Sequence, residues 1–221
     1  MAKKEPLVFV FAGGTGTRMG RADKCLIEID PENKEVLHRT SLGRIIAQLK
    51  KNGVSKINVF AGKNREGLVA YLEKNQENIA PIKVELHSEY EWGEKHKKIR
   101  DMLKPSQSTL MLNADVVYRT STLRRTLDLA RKGRKRFAIA YGPEVRARKG
   151  IGIRPIFGWS AAIVREDAAH FLGDKQLGHL NPARKALKGF GLRIAKPFVN
   201  LNRSEDVTLA RKILKRKHWQ V

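Results

Sequence analysis

The sequence predicts an α/β fold in which helices cover both faces of a mostly parallel central sheet. Short apolar segments rich in β-branched and aromatic residues alternate along the chain with longer amphipathic segments, which is typical of strands joined by crossover helices. The first apolar segment, residues 7–11, is continuous and stops at Gly13 and Gly14, as expected of a strand buried on both faces. No internal repeat or linker divides the series, so we expect one domain over residues 1–221.

Capping signals mark two of the predicted helices. Residues 41–52 have helical apolar spacing, with Thr40 or Ser41 as the N-cap and Gly53 placed to end the helix. Residues 204–206 open the last helix with acids in its first turn, which the helix dipole favours. The other predicted strands are residues 25–29, 57–60, 82–86, 109–112, 137–141 and 156–164, and the other predicted helices are residues 66–75, 94–103, 122–132, 167–172 and 183–188.

The composition excludes several classes of protein. The chain has 221 residues and one cysteine, Cys25, so it is neither a disulfide scaffold nor a zinc ribbon, and it suits a reducing compartment. No apolar run is long enough to cross a membrane, and the first residues lack the apolar core of a signal peptide. We therefore predict a cytoplasmic protein.

A glycine-rich segment follows the first predicted strand, and Arg18 and Lys24 lie within and after it. Closely spaced glycines let a loop turn tightly and point several N–H groups at one anion, and the two cations add charge at the same place. A triphosphate is the natural ligand, although a plain turn with solvated cations is the alternative. The spacing matches neither a Walker loop nor the dinucleotide fingerprint. The predicted nucleotide-binding residues of this segment are Ala12, Gly13, Gly14, Thr15, Gly16, Thr17, Arg18 and Lys24.

In these residues the chain resembles the MobA-like and sugar-phosphate nucleotidyltransferases, whose first strand ends in Gly-Gly-x-Gly-Thr-Arg-Met-Gly with a lysine downstream. The resemblance implies a single Rossmann-like domain of the nucleotide-diphospho-sugar transferase type. It also implies an enzyme that joins an NTP to a phosphorylated acceptor with Mg²⁺ and releases pyrophosphate. Residues 1–110 would be the nucleotide-binding half, and residues 111–221 the metal-binding and acceptor-binding half.

Two later landmarks fit the resemblance. Asp115 follows an apolar strand, at the end where open α/β sheets bind ligands, and the resemblance implies that it binds the metal; a turn-forming Asp is the alternative. Asn200 and Asn202 fall in a segment similar to the family's Asn-x-Asn-Thr-Pro-Glu-Asp pattern, although Arg203 and Ser204 replace Thr-Pro. The resemblance implies that both asparagines lie beside the phosphates and the metal; a plain loop and N-cap is the alternative.

The catalytic residues predicted on this basis are Arg18, Lys24 and Asp115. Arg18 would hold the phosphates that leave as pyrophosphate, and Lys24 would stabilise the α-phosphoryl group. Many members of the family that the chain resembles carry a glycine-rich segment that contacts the base or ribose, before the helix predicted here at residues 94–103. The chain has one glycine there, Gly93, which we assign to nucleotide binding.

The positive charge is concentrated in the second half of the chain. The net charge is +23, made up of 20 basic and 14 acidic residues in 1–110 and 25 basic and 8 acidic residues in 111–221. A solvated basic face is one interpretation, and a clamp on the acceptor phosphate by Arg146, Arg148 and Arg154 is a second. Docking to nucleic acid or to an anionic membrane surface is a third.

Two functions therefore remain open. The favoured one is a Mg²⁺-dependent nucleotidyltransferase that acts on a sugar phosphate, inositol phosphate or cofactor phosphate. The alternative is a catalytically silent protein of the same fold that binds nucleic acid or another polyanion. The joint presence of Arg18, Lys24 and Asp115 favours the enzyme, and the base, the acceptor and the oligomeric state are left open by the sequence.

Overall fold

Eight strands occur in the part of the chain that the computed structural model describes. That part comprises residues 5–13, 23–62, 65–88, 92–102, 107–132, 137–144, 156–165, 199–216 and 219. The strands are β1 (Leu7–Ala12), β2 (Lys56–Ala61), β3 (Lys83–His87), β4 (Ser108–Asn113), β5 (Val116–Val117), β6 (Phe137–Glu144), β7 (Ile156–Arg165) and β8 (Val199–Asn200).

Six of these strands form one sheet in the order β3-β2-β1-β4-β7-β6, and β5 and β8 form a separate pair. β1 is parallel to both of its neighbours, β2 and β4, and β2 is parallel to β3. β7 runs antiparallel to β4 and β6. The predicted mostly parallel α/β sheet is confirmed, and the carboxyl ends of four adjacent strands meet at one edge.

Helices cover both faces of the sheet. On one face, Val8 and Val10 of β1 pack in a single buried cluster with residues of the helices at Ser41–Lys51 and Thr120–Lys132. On the other face, the rings of Phe9 and Phe60 lie 5.6 Å apart and both are fully buried. From β1 to β3 successive strands are added toward one edge of the sheet, whereas β4 lies on the other side of β1. A right-handed crossover from β3 to β4 therefore places the intervening helix on this second face. The helices are α1 (Ser41–Lys51), α2 (Arg65–Lys74), α3 (Gln76–Ile79), α4 (Trp92–Met102), α5 (Thr120–Lys132) and α6 (Ser204–Leu214), with 3₁₀ turns at Lys24–Leu26 and Val36–Arg39.

The predicted capping residues of α1 are confirmed, and Thr40 is the N-cap. Its hydroxyl accepts a hydrogen bond from the backbone N–H of Gly43 at 3.0 Å, and Gly53 takes the left-handed conformation with φ of 71° just after the helix. At the start of α6, the Asp206 carboxylate accepts a hydrogen bond from the Arg203 N–H at 3.0 Å. Local capping chemistry therefore determines where these helices begin and end.

The predicted strand at residues 25–29 is wrong. The chain forms a 3₁₀ turn at Lys24–Leu26, and only Glu28 makes an isolated bridge, to Thr40. The apolar side chains of this segment lie in two different clusters, with Cys25 in the α1 cluster and Ile29 in a cluster around α6. The segment crosses from one cluster to the other, so it does not extend along a neighbouring strand.

Several short elements have no counterpart in the predictions, and two predictions cannot be compared. The Val36–Arg39 turn, α3, β5 and β8 are too short to produce a periodic pattern.

The helices predicted at residues 167–172 and 183–188 lie outside the described residues. Within the described residues, no helix combines the length and the apolar character needed to cross a membrane.

The C-terminal segment packs against the segment that follows Lys24. Ile29 and Trp219 share the cluster around α6, and the buried Arg44 guanidinium donates to the Trp219 carbonyl. Burial lowers the pKa of Arg44 to about 10, and the nearby Asp30 carboxylate opposes that shift. Arg211 donates from Nη2 to the Glu28 carbonyl at 2.9 Å. The Arg211 bond and the packing of Ile29 against α6 hold residues 28 and 29 against this helix.

We predict that Gly43→Ala destabilises the fold by about 1–3 kcal/mol, because the added methyl group would overlap the Leu37 carbonyl and the Tyr71 hydroxyl. Chemical denaturation measures this loss. Gly53→Asn is the control, since Asn tolerates the left-handed conformation and the nearest atom to a Cβ there is 4.0 Å away. Equal losses in the two variants would contradict the close approach at Gly43.

Candidate active site

The candidate site lies at the edge where β1 and β4 end side by side. Phe11 of β1 pairs with Asn113 of β4, and the Ala114 N–H donates to the Phe11 carbonyl at 2.9 Å. Ala12 and Gly13 leave β1 at the same edge at which Asp115 leaves β4. The carboxyl edge of a parallel sheet is where open α/β proteins bind their ligands.

A tight turn, Ala114–Asp115, follows β4 and is held by two buried hydroxyl groups. The Tyr118 hydroxyl accepts from the Asn113 N–H at 3.1 Å and lies 3.3 Å from the Asn113 carbonyl, to which it donates. Burial raises the pKa of the Tyr118 phenol above its ordinary value, so it stays protonated and can make both bonds. The Ser41 hydroxyl donates to the Ala114 carbonyl at 2.6 Å.

Ser41 also reaches the Lys24 segment. Its Oγ lies 3.3 Å from the Cys25 carbonyl, and the side chain is almost fully buried at the start of α1. A hydroxyl has one proton, and the 2.6 Å contact to Ala114 takes it. Ser41 thus lies between the backbone next to Lys24 and the backbone next to Asp115.

The C-terminal segment lies alongside the Ala114–Asp115 turn. β8 pairs antiparallel with β5, with Asn200 opposite Val116, and the Leu201 N–H donates to the Asp115 carbonyl at 2.8 Å. The Asn202 N–H donates to the Asp206 carboxylate at 3.1 Å. The predicted Asn-x-Asn segment is therefore fixed between the turn and the start of α6.

Lys24 completes this group of residues. Its Nζ donates to the Asn202 Oδ1 at 3.1 Å, across 178 positions of sequence. Both side chains are half-buried. The structure thus brings together Lys24, Asp115, Asn200 and Asn202, which the sequence could only place separately.

The donor atoms at this place suit a hard divalent cation. The Asn200 Oδ1 is buried and has no hydrogen-bond partner among the described atoms, and a buried amide oxygen in that condition is a suitable ligand for a cation. No group of three His, Cys, Asp or Glu side chains among the described residues could hold a metal. Mg²⁺ often takes only one or two carboxylates and completes its shell with water and substrate phosphates, so Asp115 with Asn200 fits it.

Of the remaining predicted site residues, Gly93 lies in the described part of the chain and the others lie outside it. Gly93 lies in the first turn of α4, because the helix begins at Trp92, earlier than predicted. The predicted site residues that lie outside the described part are Gly14, Thr15, Gly16, Thr17, Arg18, Arg146, Arg148 and Arg154.

Two residues of the site were missed by sequence reasoning. In the sequence, Ser41 is a candidate N-cap of α1. In the structure Thr40 is the N-cap, and the Ser41 hydroxyl donates to the Ala114 carbonyl instead. Tyr118 follows a short apolar strand and carries no motif. Its closeness to Asp115 in sequence is the one signal that could have pointed to it.

Solved structures of similar fold cover nearly the whole chain. HddC from Yersinia pseudotuberculosis is 18% identical over 93% of this chain and 97% of its own, with a TM-score of 0.62. The inositol-1-phosphate CTP transferase from T. maritima is 12% identical over 96% and 98%, with a TM-score of 0.62. A UDP-glucose pyrophosphorylase complexed with UDP-glucose is 12% identical over 97% and 100%, with a TM-score of 0.68. At these identities the likeness shows the fold alone.

The family is shown by the sequence itself. The chain has no significant match among curated proteins. Residues 8–188 match the family model of the MobA-like NTP transferase domain. The match covers most of the chain, including nearly all of β1, Lys24 and the Ala114–Asp115 turn. The chain therefore belongs to the MobA-like NTP transferase family and is a nucleotidyltransferase.

Proposed function

We propose that this nucleotidyltransferase transfers NMP from an NTP to a small phosphorylated acceptor, with Mg²⁺, and releases pyrophosphate. The observation that carries the proposal is the meeting of Lys24, Asp115, Asn200 and Asn202 at the carboxyl edge of the sheet. The acceptor is a sugar phosphate, an inositol phosphate or a cofactor phosphate.

Asp115 and Asn200 would hold the Mg²⁺. When bound, the ion neutralises phosphate charge and orients the reacting oxygen. Asn202 is the third metal-binding residue predicted from the sequence. Its Oδ1 accepts a hydrogen bond from the Lys24 ammonium group, so in this structure that oxygen already has a cationic partner.

On the nucleotide side, Ala12 and Gly13 lead from β1 into the glycine-rich segment. Gly14, Thr15, Gly16, Thr17 and Arg18 would bind the β- and γ-phosphates through backbone N–H groups and one guanidinium, and Gly93 would lie near the base or ribose. Lys24 would neutralise the α-phosphoryl group as charge develops on it.

The reaction requires no covalent intermediate. An oxygen of the acceptor's phosphate attacks the α-phosphorus, and the bond from that phosphorus to the bridging oxygen breaks, so the electron pair leaves with pyrophosphate. Cys25, next to Lys24, does not compete as a nucleophile, because it is buried and burial raises the pKa of its thiol. Positioning and charge neutralisation supply the catalysis.

The acceptor side of the proposal comes from the second half of the chain. Arg146, Arg148 and Arg154 would clamp the acceptor phosphate, with residues 1–110 and 111–221 as the two halves of one domain. The names of two similar structures, an inositol-1-phosphate CTP transferase and a UDP-glucose pyrophosphorylase, support a small phosphorylated acceptor.

The silent polyanion-binding alternative rests on the net charge of +23 alone. A cytoplasmic location stays part of the proposal, since the one cysteine forms no internal disulfide.

We predict that Asp115→Ala lowers the rate of pyrophosphate release at least about a hundredfold, because the metal loses its carboxylate. The assay combines four NTPs with a panel of sugar, inositol and cofactor phosphates in Mg²⁺. EDTA should abolish release by the wild-type protein. Asp128→Ala is the control, since Asp128 is an exposed acid on α5 and its loss should leave the rate unchanged. Turnover that survives Asp115→Ala would refute the metal assignment.

We predict that Ser41→Ala lowers kcat about tenfold, because the Ala114 carbonyl loses the bond that holds the Asp115 turn. The KM for the NTP should change little. Thr126→Val is the matched control: its hydroxyl is equally buried and donates to the Thr122 carbonyl at 2.8 Å, within α5. Both variants should lose about 1–3 kcal/mol of stability, and only Ser41→Ala should lose kcat. Equal kcat values would mean that Ser41 serves stability alone.

A further inference from the structure

The two asparagines of the Asn-x-Asn segment have different surroundings. The Asn202 Oδ1 accepts a hydrogen bond from the Lys24 ammonium at 3.1 Å. The Asn200 Oδ1 is buried and, among the described atoms, has no hydrogen-bond partner. Two residues that look equivalent in the sequence are thus distinguished by what their amide oxygens contact.

The backbone around Asn202 is fixed by three hydrogen bonds. The Asn202 N–H donates to the Asp206 carboxylate at 3.1 Å and to the Asn200 carbonyl at 3.0 Å. The adjacent Leu201 N–H donates to the Asp115 carbonyl at 2.8 Å. Since Asp206 is itself buried in the first turn of α6, the Asn202 amide extends from the same frame that holds the Asp115 turn.

Lys24 gains a defined position from this frame. A lysine side chain loses much rotamer entropy when it is ordered, and a bond to Asn202 orders it before any ligand arrives. An ammonium has three protons, so one can stay with Asn202 while two reach phosphate oxygens. The bond is therefore compatible with a bound nucleotide.

We propose that Asn202 is a positioning residue for Lys24, and that it acts on nucleotide binding through the ammonium and not as a ligand of the metal. This assignment rests on the proposed function. The two asparagines then have different roles. Asn202 positions Lys24 for the nucleotide before the metal binds, and Asn200 acts only as a ligand of the metal.

A double-mutant cycle tests the assignment without the metal. The affinity for each of the four NTPs is measured by calorimetry in EDTA for the wild-type protein, Asn202→Ala, Lys24→Met and the double variant. Asn202→Ala should weaken metal-free binding about fivefold to tenfold, since an ordered charged hydrogen bond is lost. The double variant should bind as Lys24→Met does, within about twofold, because the two residues act as one unit.

Asn200→Ala is the matched control. It should leave metal-free affinity unchanged and raise the Mg²⁺ concentration that half-saturates pyrophosphate release, whereas Asn202→Ala should leave that concentration unchanged. Thermal melting verifies that each variant is folded, and Asn202→Ser replaces Asn202→Ala if the alanine variant melts early. Additive losses in the cycle, or an effect of Asn202→Ala on Mg²⁺ alone, would overturn the assignment and leave the nucleotide site intact. A wild-type protein that binds no NTP would overturn the proposed function and this assignment together.

Discussion

The candidate site depends on the pairing of β5 with β8, which joins segments more than 80 residues apart in the sequence. β5 directly follows the Ala114–Asp115 turn, and the Leu201 N–H donates to the Asp115 carbonyl. Through this pairing, β8 and the residues that follow it reach the carboxyl edge formed by β1 and β4. This pairing places Asn200 opposite Val116, next to the Asp115 turn, and it brings Asn202 within reach of Lys24.

Buried polar contacts, in addition to apolar packing, hold the site together. Ser41 bonds the backbone of Ala114 and Tyr118 bonds the backbone of Asn113, the two residues that precede Asp115. Arg44 bonds the Trp219 carbonyl from within the core. Each such bond satisfies a buried group that would otherwise destabilise the fold. A reaction that relies on positioning needs this rigidity, because small displacements of phosphate-binding groups cost rate.

Much of the fold and part of the site were predictable from local patterns. β1, β2, β4 and α1 occur where apolar periodicity and caps place them, because each pattern reflects burial of one face and local hydrogen bonding. The segment at residues 25–29 was predicted wrongly, since an apolar run cannot reveal that its members belong to two clusters. β5 and β8 are too short for any pattern, although the site depends on them.

The sequence by itself determined the mostly parallel α/β sheet and the family. It also determined the residue types that phosphate and metal chemistry need, because glycines, cations and acids keep their chemical properties wherever they lie in the chain. Only the tertiary structure decided which of them meet. Lys24 contacts Asn202 across 178 positions of sequence, Ser41 lies between the Lys24 and Asp115 segments, and the two asparagines differ in their partners. These contacts arise from strand pairing and core packing between distant segments, which periodicity and motif spacing do not encode.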